Sequence, residues 1–205
     1  MNLKFSKKKV SGILTILPNK EVLFEDEIDN YNFKRSQSMK LKLIMGYKKR
    51  RIVDEDTCIS DLLLFGMNHL LDKKMIKKEE IDALILVTQS PDHFMPATSY
   101  ILHGQLDLKK DVICMDINQG CSGYVIGLTQ AMMLLEQEEI NKVVVMNADI
   151  LSRKVSNRDR NNNPQIGDAA SITIVEKDEN TGAIMGAIRT DGSGSDVLKI
   201  PAGGF

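Results

Sequence analysis

Residues 112–138, VICMDINQGCSGYVIGLTQAMMLLEQE, constrain the fold more than any other stretch of the chain. They open behind Asp111 with the apolar run Val112-Ile113-Cys114-Met115, the pattern of a strand covered on both faces. Asn118-Gln119-Gly120 then turns the chain into a long apolar segment with no charge before Glu136. A helix that is apolar all round belongs in a core or in a membrane. The uncharged run 117–135 comes close to spanning length. Asn118, Gln119, Thr129, Gln130 and three glycines interrupt it, however, and no stop-transfer flank follows. The reading is a buried strand that feeds a buried core helix.

At the junction sits Cys121, inside Gly120-Cys121-Ser122-Gly123. Glycine permits a tight turn and a close approach of backbone to a ligand. A thiol in the first turn of a helix meets the positive end of the dipole and unpaired N–H donors, which favour thiolate over thiol. The same donors can hold an oxyanion while the sulfur attacks a carbonyl. Most cysteines are small apolar core residues, and Cys58 and Cys114 read that way. Cys121 stands apart because it lies at a glycine-flanked strand-to-helix turn, which makes it the candidate nucleophile.

A chain of 205 residues with 42% hydrophobic content suits one globular domain with a sizeable core. The net charge of −1 gives no general pull toward nucleic acid or an anionic membrane. Three cysteines without paired or ligand spacing fit a reducing compartment, with neither a disulfide frame nor a zinc site. His69, His93 and His103 have no metal-like spacing, so no metal is expected. The run 10–17 behind Lys4, Lys7, Lys8 and Lys9 ends at Pro18 without a small-residue cleavage site. It therefore reads as a first strand in a cytoplasmic protein.

Further along, residues 25–37 are polar and partly helical. Residues 39–53 carry Lys40, Lys42, Lys48, Lys49, Arg50 and Arg51 and no acid, either a solvated face or a contact for phosphate or an acidic protein. Residues 57–73 read as a helix capped by Thr57, with Leu62, Leu63, Phe65, Gly66, Leu70 and Leu71 facing inward. The run 83–87 is a strand buried on both faces. A loop over 89–96 leads to a short helix at 98–106, and residues 142–146 form another strand. The polar loop 152–165 has no core residues to spare and is expected at the surface. Runs 169–175 and 183–188 are expected to pair antiparallel across the turn 178–182, ahead of an irregular glycine-rich tail at 191–205. Strands alternating with helices argue for a layered α/β fold.

Asp116-Ile117-Asn118-Gln119-Gly120-Cys121-Ser122-Gly123 resembles the active-site cysteine motif of the 3-oxoacyl-acyl-carrier-protein synthase III family. Gly46-Tyr47-Lys48-Lys49-Arg50-Arg51-Ile52 and Asp92-His93-Phe94-Met95-Pro96-Ala97 resemble other segments of that family. Asn147-Ala148-Asp149, Asp159-Arg160, Ile166-Gly167-Asp168-Ala169-Ala170 and Asp191-Gly192-Ser193-Gly194 follow in the right order and spacing. The resemblance implies one half of a thiolase-like layered fold, a mixed five-stranded sheet with helices on both faces, as a single domain over 1–205. It also implies a homodimer that uses no cofactor, with coenzyme A or phosphopantetheine thioesters as substrates and acyl carrier protein as partner.

By the same resemblance Cys121 accepts an acyl group from acyl-CoA or acyl-ACP and, in the full-length enzyme, passes it to malonyl-ACP. Met95 stands where the family often places a bulky aromatic, donated across the dimer to limit the acyl pocket. Arg160 matches an arginine near the coenzyme A entrance, and Lys48 joins the substrate-binding rim. Lys40 and Ile44 stand where family members carry a tryptophan and an arginine that sandwich adenine. Ala169 and Ser171 replace more usual glycines. The family's catalytic histidine and asparagine lie in a second half, which should begin near Gly203-Gly204-Phe205. The expectation is therefore the N-terminal half of a condensing enzyme, inactive in condensation when alone. Two rivals stand beside this reading: a relative that passes acyl groups to an oxygen or nitrogen acceptor, and a non-catalytic partner subunit. The presence of Cys121 argues against the second.

Overall fold

The computed structural model describes residues 1–200; residues 201–205, the end of the expected irregular tail, lie outside the described residues. In chain order the elements are β1 (Asn2–Phe5), β2 (Lys8–Ile16), β3 (Lys20–Leu23), α1 (Phe24–Glu27), α2 (Arg35–Met45), β4 (Lys49–Ile52) and α3 (Ile59–Asp72). They continue with β5 (Ala83–Val87), α4 (Thr98–Gln105), β6 (Ile113–Ile117), α5 (Gly123–Leu134), β7 (Lys142–Asp149), β8 (Ala169–Lys177) and β9 (Ile184–Ala187). One mixed five-stranded sheet, in the order β2-β8-β7-β5-β6, organises the rest. Strands β5, β6 and β7 run parallel, while β8 runs antiparallel to both β7 and β2.

Central β5, Ala-Leu-Ile-Leu-Val, is buried at every position because both of its faces are covered. On one face Leu84 and Leu86 meet Leu62, Leu63 and Met67 of α3 and Leu102 of α4. On the other, Ala83 and Ile85 meet Ala131 and Met132 of α5. Each large side chain closed off this way contributes about 1.5–3 kcal/mol. The expected five-stranded sheet with helices on both faces is what the chain forms.

Several local expectations need correction. Strand β9 pairs with β1, not β8, because both edges of β8 are already taken by β2 and β7. Strand β6 lies at the sheet edge, so its residues are partly or well exposed. Helix α5 buries only the stripe Gly123, Gly127, Ala131 and Met132, and leaves Val125 56% exposed. Helix α3 starts at Ile59, two residues beyond Thr57, where the Asp61 carboxylate accepts the Cys58 N–H at 2.7 Å. Phe65 points to solvent, and Met67 takes the inward position instead. The loop 152–165 is anchored after all. Its Asn163 is buried and donates to Tyr31 Oη and to Glu27 Oε1, each at 3.2 Å.

Candidate functional site

The parallel strands β5, β6 and β7 end on the same side of the sheet, where open α/β sheets hold ligands. The loops that leave them there are positioned by carboxylates facing N–H and hydroxyl donors. Asp116, the next-to-last residue of β6, accepts the Thr98 and Ser99 N–H groups at 2.8 and 3.0 Å. It thereby caps α4 with a negative charge at the helix N-terminus. Asp149, at the end of β7, accepts Gln89 N–H at 2.7 Å, Ser90 Oγ–H at 3.0 Å and Thr88 Oγ–H at 3.2 Å. Asp168 is buried and takes Val53 N–H at 3.0 Å, Ser152 N–H at 3.1 Å and Ser152 Oγ–H at 2.6 Å.

Between these anchors β6 passes through a 3-10 turn, Gly120–Ser122, into α5. Gly120 has φ +52°, a left-handed conformation that favours glycine. A Cβ there would also stand 3.3 Å from the Gln89 amide. Gly123 and Gly127, one helical turn apart, let α5 lie against the sheet. A Cβ at Gly123 would fall 2.4 Å from Val87 Cγ1, and one at Gly127 would fall 3.0 Å from Val87 Cγ2. Gly123 thus serves close packing onto β5, where the sequence suggested close approach to a ligand.

This packing fixes where Cys121 goes: exposed, immediately before the first turn of α5. That first turn contains no acid and has no side-chain cap, because the Ser122 hydroxyl donates back to Gln119 O at 2.9 Å. The N–H groups of a first turn have no intrahelical acceptor and carry the positive end of the dipole. Cys121 is therefore accessible and has no neighbouring acid in that turn. Cys114 on β6 differs: burial first, then the Asp116 carboxylate, push its thiol up to about 11. Burial and nearby Asp92 and Asp61 raise the Cys58 thiol as well.

The other expected site residues fall in two places. Met95 belongs to the loop after β5, which starts beside the cysteine turn at Gln89, and it is 86% exposed. Lys48 and Arg160 lie where the loop 152–168 docks beside the antiparallel pair β3–β4. There Arg50 donates to Ile166 O at 2.9 Å and grips Glu27 through two bonds of 2.5 and 3.1 Å. The Lys48 side chain is exposed. The Arg160 guanidinium stacks 3.6 Å from the Phe33 ring centroid, with its Nε buried and unpartnered. Lys40 and Ile44 lie exposed on α2. All three aspartates fall in the segments of resemblance, but the sequence does not show them as anchors, since each takes donors far along the chain.

The sheet order and the helices on both faces define a thiolase-like layered α/β fold. A sequence model described as 3-Oxoacyl-[acyl-carrier-protein (ACP)] synthase III matches residues 115–192. A Campylobacter jejuni protein provisionally named 3-oxoacyl-[acyl-carrier-protein] synthase 3 is 37% identical over 204 residues, which are 99% of this chain and 57% of that protein. A beta-ketoacyl-[acyl-carrier-protein] synthase III of Caldanaerobacter subterraneus is 34% identical over 160 residues, 78% of this chain and 48% of its own length. The crystal structure of a 3-oxoacyl-(acyl-carrier protein) synthase from Burkholderia xenovorans superposes with a TM-score of 0.92 at 30% identity. The match covers 100% of this chain and 58% of that one. In sequence and in fold the chain is similar to the N-terminal half of 3-oxoacyl-acyl-carrier-protein synthases III. It spans little more than half the length of these relatives.

Proposed function

We propose that Cys121 accepts an acyl group from a thioester and that, in the full-length protein, the group is condensed with malonyl-ACP to 3-oxoacyl-ACP. The Cys121 sulfur attacks the thioester carbonyl carbon, and the tetrahedral oxyanion collapses with loss of the donor thiol. A thioester on Cys121 remains, so one difficult step becomes two easier ones. The Cys121 N–H at the start of α5 serves as one oxyanion donor. Malonyl-ACP then loses carbon dioxide, and the resulting enolate carbon attacks the acyl carbonyl and returns the electron pair to Cys121 sulfur. Residues outside this chain carry that second step, so the chain alone is inactive in condensation. The observation that supports the reading best is an exposed thiol at a helix start free of acids and side-chain caps.

The remaining roles follow from the same reading. Lys48 and Arg160 receive the phosphate end of a coenzyme A or phosphopantetheine thioester, since both carry a positive charge at the docked loop. A homodimer forms along β6, an edge strand with backbone groups free to pair, and Met95 reaches the acyl pocket of the other copy. A reducing, cytoplasmic setting keeps the exposed thiol unoxidised. No helix among the described residues is long and apolar enough to cross a membrane.

Intact-mass measurement of the full-length protein after incubation with an acyl thioester tests the reading. The expected result is one acyl adduct that disappears in Cys121→Ala. An adduct of equal yield in that variant places the nucleophile elsewhere.

A further inference from the structure

The residues 34–53 contain eight cations, Lys34, Arg35, Lys40, Lys42, Lys48, Lys49, Arg50 and Arg51, and no acid. The fold answers five of them with carboxylates from the preceding segment. Arg35 pairs with Asp29, Lys42 with Glu25, Lys49 and Arg51 with Glu21, and Arg50 with Glu27. Lys34, Lys40 and Lys48 have no carboxylate partner among the described residues. The basic run is thus neither a uniformly solvated face nor a uniform anion site. Its paired members hold the β3–β4 pair and α2 in place, and the unpaired ones remain free for a partner.

One of those free cations, Lys40, borders an apolar surface. Helix α2 rests on Phe24, Ile28 and Tyr31 through Met39, and turns its other side outward. There Leu43 and Ile44 are each 80% exposed, and Lys40 lies three and four residues before them on the same helical face. Exposed apolar side chains grouped and rimmed by charge mark interaction surfaces. A rim of one sign selects partners of the other and speeds their encounter. Free anions would satisfy the lysines but give Leu43 and Ile44 nothing to bury against.

We propose that the outward face of α2, centred on Lys40, Leu43 and Ile44, docks an acidic protein partner that presents carboxylates around an apolar ridge. Resting on the acyl-transfer reading above, that partner is the acyl carrier protein that delivers the donor thioester. Selectivity follows directly: donors bound to carrier protein gain from α2, and small thioesters do not.

The test compares two octanoyl donors on the full-length protein, octanoyl carrier protein and octanoyl-N-acetylcysteamine, with acylation followed by intact mass. Lys40→Glu and Leu43→Glu are surface changes that leave the core intact. Each is expected to lower acylation by the carrier-protein donor at least tenfold at subsaturating concentration, and acylation by the small donor less than twofold. Equal losses with both donors, or no loss with carrier protein, overturn the proposal. If neither donor acylates the unmodified protein, the acyl-transfer reading fails. Titration of carrier protein onto Cys121→Ala, with and without Lys40→Glu, then decides the docking surface alone: loss of binding supports it, and unchanged binding overturns it. A Leu43→Glu protein whose oligomeric mass halves in light scattering assigns the face to a second copy and overturns it too.

Discussion

The two ends of the central sheet handle charge in opposite ways. Where β5, β7 and β2 begin, acids are matched by lysines. Lys142 Nζ lies 2.7 Å from Glu80 and 3.2 Å from Glu176, Lys109 lies 2.7 Å from Asp82, and Lys9 lies 2.9 Å from Asp178. Where β5, β6 and β7 finish, Asp116, Asp149 and Asp168 accept N–H and hydroxyl donors from the loops at that end of the sheet. Paired surface charges tolerate change, because water and salt replace a lost partner. A carboxylate that gathers several donors, some of them buried, cannot be replaced so easily. One end is therefore a set of partly covered ion pairs, and the other is a set of loops fixed by carboxylates, one of them beside the turn that carries an exposed thiol.

The largest effect is expected at the fixed end. Asp168→Ala leaves the Val53 and Ser152 donors without their acceptor. It should cost about 4 kcal/mol in chemical denaturation, taking a few kcal/mol for each stranded buried group. Next comes Gly123→Ala, whose added Cβ meets Val87 Cγ1 at 2.4 Å. Valine has no flexible end to swing aside, so about 2 kcal/mol is expected. Gly66→Ala is the control, because its Cβ meets the movable Cδ1 atoms of Ile16 and Ile172; a larger loss there than at Gly123 would break this ordering.

At the paired end, Lys142→Met should cost no more than about 1 kcal/mol, and less in high salt. A loss matching Asp168→Ala would erase the contrast between the ends. Asp82 supplies a smaller effect, read as pH dependence. Burial pushes its carboxyl up, but the Lys109 ammonium and the Asn141 and Lys142 N–H groups outweigh it and hold it below its usual 3.8. Its contribution to stability is present above that value and lost as pH falls below it. Acid titration of Asp82→Asn should therefore show a shallower decline below about pH 4 than the unmodified protein.

How much of this the sequence discloses depends on whether the signal is local. The apolar run 83–87 gives β5 to the residue, and the turn at Gly120 ahead of an apolar segment places Cys121 correctly at a helix start. Strand β9 misleads, because its partner β1 comes from the other end of the chain and only the filled edges of β8 decide the matter. The basic run 39–53 looks like one feature until Glu21, Glu25 and Glu27 divide it into structural and free charges. Helix α5 is apolar all round, yet the described residues cover one stripe of it. Uniform hydrophobicity reports what a face avoids and leaves open which neighbour covers it.

The central claim is that the strand-to-helix turn, and not the neighbouring strand, makes a cysteine reactive. Residue-resolved iodoacetamide labelling of the folded protein near pH 7 tests it most directly. With its thiol near 11, Cys114 is only about one part in ten thousand thiolate at that pH. Cys121 should be labelled first, at least tenfold faster than Cys114 and Cys58, with the other two following only on unfolding. Labelling of Cys114 at the same rate as Cys121, or ahead of it, would contradict the claim.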